Sequence, residues 1–225
     1  MRRFLKDNGL GLVVLGFFLA TLIGQTLTGR AAYNQEQKDH GESPVALTEY
    51  VKTGHFAEAV FENWESEFLQ MGLYVFLTAF LVQRGSAESK KPEDELDGEK
   101  EEVDEDPAEH RDDPDAPWPV RRGGIALRIY ENSLSIAFLL LFLLSFLGHG
   151  MGGAADFNEE ERVHGGPALS TLGYMATSRF WFESLQNWQS EFLAVISIVL
   201  LSVFLRQRGS PESKPVHAPH RQTGA

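Results

Sequence analysis

The sequence predicts an all-α integral membrane protein with four transmembrane helices in two tandem parallel hairpin repeats and short amphipathic helices in the outer loops. Three observations carry that reading. Four apolar stretches, 10–27, 64–82, 134–151 and 188–205, are each 18 or 19 residues long and hold no Lys or Arg. A helix of that length rises about 27–29 Å, close to the ~30 Å hydrocarbon core of a bilayer. Charge is segregated: residues 88–115 hold fifteen Asp/Glu and four Lys/Arg, a net of −11 out of the chain's −12. The rest of the chain is therefore almost neutral, although 43% hydrophobic and 23% charged residues look ordinary for a soluble protein. Finally, the chain aligns with itself at an offset of 124 residues.

The alignment is dense. Asn63-Trp64-Glu65-Ser66-Glu67-Phe68-Leu69 lies over Asn187-Trp188-Gln189-Ser190-Glu191-Phe192-Leu193, and 17 of 28 positions agree across 63–90 and 187–214. Tyr33–Gly41 matches Phe157–Gly165 in the same register. Each half carries two crossings, so both enter the membrane from the same side, and the repeat is parallel rather than inverted. The expected boundaries are a first two-span repeat over 1–90, an acidic disordered linker over 91–122, a second repeat over 123–214 and a disordered tail over 215–225.

Lys and Arg set the orientation. Fifteen of the twenty lie in the N-terminus, the segment 83–133 and the tail from Arg206, whereas the loops 28–63 and 152–187 hold only Arg30, Lys38, Lys52, Arg162 and Arg179. Both termini and the acidic linker are therefore expected in the cytoplasm, and both hairpin loops outside. The first apolar stretch follows Arg2, Arg3 and Lys6 like a secretory signal. Its counterpart at 134–151, in mid-chain, points instead to a retained span.

The linker, from Ser86 to about Pro119, combines its acidic run with five prolines and few apolar residues, the composition of a solvated tether. Arg121, Arg122 and Arg128 then return the chain to the membrane surface. In the outer loops, apolar residues recur at near-helical spacing after Pro44 and Pro167: Val45, Leu47, Val51, Phe56, Val60 and Phe61 in one, Leu169, Leu172, Met175, Phe180 and Leu185 in the other. Proline suits a first helical position, so one amphipathic helix is expected in each loop. Trp64, Trp188 and Trp181 are the expected interface anchors in the aromatic belt.

Candidate chemistry is sparse. Glu67 and Glu191 are equivalent, at the start of the second and fourth spans, where a carboxylate complements the helix dipole and Asn63 or Asn187 caps free N–H groups. An ionisable group at that depth also suits a polar path, and Gln25 and His149, equivalent near the ends of the first and third spans, would lie at the same level. These four residues are the ion or proton site candidates. Glu36 with His40, and Glu160 with His164, place carboxylate and imidazole four residues apart; two copies would offer two Glu and two His, a donor set acceptable to Zn or another divalent ion, and a local ion pair otherwise. Gly148 and Gly152 form a Gly-x-x-x-Gly spacing, without a copy in the first half, that permits close helix approach. Gln83-Arg84-Gly85-Ser86 and Gln207-Arg208-Gly209-Ser210 read as cytoplasmic stops.

Zero Cys excludes disulfides and thiolate chemistry. Nucleophile-elbow, zincin, Walker and Rossmann patterns are absent, as is a basic aromatic surface for nucleic acid. No catalytic residue, cofactor or nucleic-acid partner is therefore expected; the expected partners are the lipid bilayer, a second copy of the chain or another membrane protein.

The Asn-Trp-x-Ser-Glu-Phe-Leu block, the Gln-Arg-Gly-Ser stop and the two-span unit repeated across an acidic linker resemble an uncharacterised family of small bacterial multi-pass membrane proteins, a domain of unknown function. The resemblance covers most of 7–90 and 131–214. It implies a bacterial inner-membrane location and transfers no site. The expected function is that of a non-enzymatic structural, accessory or stress-associated membrane protein, the alternative being a small channel or transporter whose paired Glu form an ion site near the outer face.

Overall fold

The computed structural model describes residues 2–96 and 101–224, the side chains of Arg2 and Glu102 excepted. Met1 of the signal-like N-terminus, 97–100 of the expected tether and Ala225 of the tail lie outside the described residues. All regular structure among those residues is helical. The chain runs α1 (Arg2–Asp7), α2 (Gly9–Asp39), α3 (Leu47–Tyr50), α4 (Gly54–Thr78), α5 (Trp118–Arg122), α6 (Gly124–Glu131), α7 (Ser133–His164), α8 (Thr171–Met175) and α9 (Ser178–Phe204).

Three of these, α2, α7 and α9, are long and apolar enough to cross a membrane. None of the apolar window of α2 is buried within the chain, and only 17% and 6% of those of α7 and α9. Faces so apolar and so bare are those of helices solvated by lipid. Both α2 and α7 run on past their apolar stretches, because 28–39 and 152–164 contain no proline. They stop where Gly41 and Gly165 take φ of +76° and +75°, a left-handed conformation that ends a helix. The Glu36/His40 and Glu160/His164 segments are consequently helical up to their last turn.

The second apolar stretch differs from expectation. Its helix, α4, is 25 residues long but ends at Thr78, short of 82. Thr78 Oγ1 turns back to the carbonyls of Tyr74 and Val75 at 3.0 and 3.1 Å, competing with the backbone ladder where α4 unwinds. Four glutamates, Glu58, Glu62, Glu65 and Glu67, also dilute its apolar character.

Each of the loops 28–63 and 152–187 carries two helical pieces instead of one amphipathic helix. The hydroxyls of Thr53 and Thr177 donate to the carbonyls of Tyr50 and Tyr174, both at 2.7 Å, closing the single turns α3 and α8. The same hydroxyls accept from Phe56 N and Phe180 N, opening α4 and α9. Pro44 and Pro167 sit in the extended segments before α3 and α8. The turns are started by Glu49, which accepts from Ala46 N at 3.0 Å, and by Ser170, which accepts from Gly173 N at 3.1 Å. Two asparagines tie these segments down: Asn34 brackets Val45 and Asn158 brackets Leu169, each through both backbone groups at 2.7–3.1 Å.

The chain forms two compact units, Met1–Glu62 with Phe146–Trp181, and Asn63–Ser145 with Phe182–Ala225. The first has its core at Ala154, Tyr174 and Phe180. In the second, Ser89 Oγ accepts from Gln83 N at 2.8 Å and Ser213 Oγ from Gln207 N at 2.9 Å, while Gly85 and Gly209 take φ of +83° and +85°. The described residues of the expected linker include three single-turn 3₁₀ helices, Glu93–Glu95, Glu102–Asp104 and Pro107–His110. Arg84 pairs with Asp94 (2.7 Å) and Glu95 (3.1 Å), and Lys90 with Asp104 (2.8 Å). The tail is also engaged. Lys214, buried, donates to the carbonyls of Gly85, His220 and Gln222; burial, then Arg206, draws its pKa below the usual lysine value. Local ion pairs and carbonyl acceptors supply what the apolar content of these segments lacks.

Glu88, which accepts from Tyr74 at 3.0 Å, is pushed above the ordinary carboxylate value by burial first, then by Glu212 beside it, against the pull of the Tyr74 hydrogen bond. A carboxyl raised in the folded state contributes stability below its unfolded pKa of 4.5 and loses that contribution as pH rises through the folded value. Glu88→Gln keeps an acceptor for Tyr74 without the charge. Its thermal midpoint is expected to match wild type near pH 4 and to exceed it increasingly toward pH 8; a constant difference across that range contradicts the shift.

Candidate functional site

Buried ionisable side chains gather in the first unit, and their placement starts from glycine. A Cβ on Gly152 would overlap the backbone N of Glu58, and one on Gly54 would lie 2.7 Å from Gly152 O. Here α4 and α7 meet backbone to backbone, an approach open only to residues without side chains. Gly148, one turn earlier on α7, receives the Phe61 ring in the same manner.

Gly153 leaves room for the Tyr174 ring and for the Glu58 carboxylate, whose Oε1 lies 2.8 Å from where its Cβ would stand. Tyr174, fully buried, donates to that oxygen at 2.9 Å. Glu58 is 9% exposed. His149, fully buried one turn back along α7, stacks on Phe180 with ring centroids 4.6 Å apart. One of its ring nitrogens is within 4.8 Å of a Glu58 carboxylate oxygen. Asp156, on the other side of Gly153, lies against Glu58 within side-chain hydrogen-bonding reach. The charged groups around it are His55, Glu36 and Arg179, whose guanidinium is 3.9 Å away. Arg179 also grips Glu160 at 2.7 Å.

A ring of phenols borders this set. Tyr50, 1% exposed, meets His55 Nδ1 at 3.1 Å, and burial, then the charge of Asp156, pushes its phenol above the usual value. Its hydroxyl and the His55 ring nitrogen share a hydrogen bond. Tyr33 donates to Glu159, and Gln37 Nε2 to the Tyr33 oxygen at 2.9 Å.

The residues singled out from sequence fall as follows. Gln25 and His149 belong to the first unit, Glu67 and Glu191 to the second. Gln25 is exposed and donates to Ala59 O at 3.1 Å. Glu67 is exposed and Glu191 half-buried, with charges that act on each other. The rings of His40 and His164 come within 5.8 Å, but Glu160 is paired with Arg179 and Glu36 is exposed, so the proposed four-ligand set is not assembled. Trp188 Nε1 donates to Glu65, fully buried in the second unit, at 3.1 Å; Trp64 is half-buried and Trp181 exposed. Glu58, Glu65, Asp156 and Tyr174 escaped the sequence reading. Their one legible signal is a charged residue beside small ones, Ala57-Glu58-Ala59 and Gly152-Gly153-Ala154-Ala155-Asp156, since small residues mark close packing. The other unit holds a pocket of about 300 Å³ that is apolar, lined by Phe68, Gly72, Phe138 and Phe142 among others.

Residues 1–225 match one protein family. The chain belongs to the family Domain of unknown function (DUF6766). No curated protein and no solved structure matches it. In this DUF6766 chain, function is therefore argued from the side chains themselves.

Two substitutions test the geometry. Tyr174→Phe removes one donor from a buried carboxylate and is expected to cost about 1–3 kcal/mol, seen as a lower thermal midpoint in detergent. Gly152→Ala should cost about 1–3 kcal/mol by overpacking, whereas Gly24→Ala, whose Cβ meets nothing within 4 Å, should not destabilise. Equal midpoints for the two alanine variants contradict the backbone contact.

Proposed function

We propose that the chain is a four-span, non-enzymatic protein of a bacterial inner membrane, structural, accessory or stress-associated, with both termini and the acidic linker in the cytoplasm. Its two halves are copies of one two-span unit. The observation that carries the reading is the likeness of the turns that follow α4 and α9: Gln83 with Ser89 and Gln207 with Ser213 make the same hydrogen bond at the same offset. Since α9 is apolar enough to cross a membrane, α4, with the same start and the same final turn, is read as the fourth span. The bare apolar faces of α2, α7 and α9 give such a protein its working surface, which acts through lateral contacts with lipid, with a second copy or with another membrane protein.

The cysteine-free sequence lets single cysteines report the topology. Cysteines at 41 and 165 should react with an impermeant maleimide from outside intact cells, and those at 87, 110 and 217 only after lysis. Labelling of 41 and 87 from the same side contradicts the crossing by α4.

A second reading, an ion site at the outer ends of the helices in a small channel or transporter, is favoured by one observation, the burial of His149 beside Glu58. The readings separate on Glu67→Gln combined with Glu191→Gln. Under the leading one this variant changes stability or assembly only; loss of ion flux in liposomes with folding intact contradicts it.

A further inference from the structure

We propose that the groove between α4 and the start of α7 holds one acyl chain of an anionic phospholipid, whose phosphate is taken by the arginines of α5 and α6. The inference goes beyond the lateral contacts proposed above by naming one lipid class and one place for it, and it rests on the reading of α4 as a span. Three features support it.

The first is shape. The groove has a volume of about 300 Å³, and Asn132, Ser135, Leu139 and Phe142 line it at intervals of three and four residues, which is one face of a helix. From Asn132 to Phe142 the helix rises about 15 Å, the depth of one leaflet of the ~30 Å hydrocarbon core. Phe68 and Phe76 line it from α4. A Cβ at Gly72 would stand 3.0 Å from that of Phe138, so the two helices meet along the floor of the groove. Phe76 and Leu139 on its flanks are exposed, which leaves it open sideways to the lipid.

The second is the polarity of its ends. Asn132 and Ser135 are the polar side chains of the lining, and both sit where α6 gives way to α7. Asn132 makes that joint: its Nδ2 donates to Arg128 O at 2.9 Å, and its own carbonyl accepts from Ile136 N at 2.9 Å. Arg128 is therefore one helical turn from the polar end of an otherwise apolar slot. A phospholipid has the same order, charged head and then apolar chain.

The third is charge. Residues 118–131 hold Arg121, Arg122 and Arg128 against Glu131, although the segment just before them, 88–115, carries a net of −11. Among the described residues these three arginines make no ion pair, whereas Arg84 and Lys90 hold Asp94, Glu95 and Asp104. Trp118, Ile125 and Ile129 are exposed among them, while Val120 and Leu127 are buried. Bare apolar side chains beside arginines are the make-up of a helix lying at headgroup level, where anionic lipid attracts basic residues. Guanidinium groups suit phosphate oxygens because they donate in pairs.

The test uses the full chain in detergent, stripped of lipid, supplied with phosphatidylglycerol or phosphatidylcholine, and read by native mass spectrometry. One phosphatidylglycerol per chain, retained in preference to phosphatidylcholine, is expected. Arg121→Gln, Arg122→Gln and Arg128→Gln combined should weaken retention about 100-fold, at about five-fold per arginine. Lys38→Gln, Lys52→Gln and Arg162→Gln combined, which remove the same charge from the loops 28–63 and 152–187, should retain lipid as wild type does. Ser135→Phe fills the groove and should abolish retention; the arginine variant, which leaves the groove untouched, keeps the test informative should Ser135→Phe misfold. Equal retention of the two lipids overturns the proposal, as does retention unchanged in the arginine variant. A dimer that excludes phospholipid and that Ser135→Phe dissociates would put a second copy in the groove and overturn it as well. Absence of phospholipid with the cysteine-labelling pattern intact sinks this inference and leaves the four-span reading standing.

Discussion

The contact between the backbones of Gly54 and Gly152 is the constraint on which the first unit depends. Within a bilayer, apolar side chains gain little by leaving lipid for one another, so helices associate where small residues let their backbones approach. A Cβ at either glycine would strike the opposing chain. Because α4 comes so close, Glu58 arrives over Gly153 and its carboxylate meets Tyr174, His149 and Asp156. A wider separation would take Glu58 away from Tyr174 and leave its buried carboxylate without that donor.

The polar cluster in turn explains how the loops around α3 and α8 are built. Tyr174 reaches Glu58 because α8 is a single turn, closed and redirected by Thr177. Tyr50 occupies the corresponding place beside Thr53 in the first half and turns to His55. The same backbone device thus serves two different polar partners, since Glu58 and His55 have no like residue at the matching positions, Phe182 and Arg179. Arg179 shows the divergence most plainly: it carries the cation that neutralises Asp156 and Glu160, while Phe157, matching Tyr33, lies under its guanidinium at 5.8 Å.

Part of the helical framework was legible in the sequence, because it follows from apolar length: the three long helices lie on expected stretches. Their extension to Gly41 and Gly165, which stop α2 and α7, was not. The two-piece loops were not legible, since Thr53 and Thr177 interrupt an otherwise continuous apolar period through hydrogen bonds that periodicity does not encode. The ion pairs of the linker were not legible either: Arg84 and Lys90 find particular acids within a run that composition describes only as repulsive. The site was the least legible part. The matched glutamates drew notice by their repetition, whereas Glu58 and Asp156 owe their burial to the packing of α4 of one half against α7 of the other. Of the residues marked in the sequence, His149 and the glycines of the Gly-x-x-x-Gly spacing around it are the ones that lie in this cluster.

Amide hydrogen exchange on the full chain in lipid nanodiscs, comparing wild type with Gly152→Leu, tests the central claim most directly. If the backbone contact organises the unit, protection falls together over 54–62, 148–156 and 171–180, while 10–27 stays protected as in wild type. Loss confined to 148–156, with 54–62 and 171–180 unchanged, would show that α4 and Tyr174 hold their places without the glycine contact and would contradict the account.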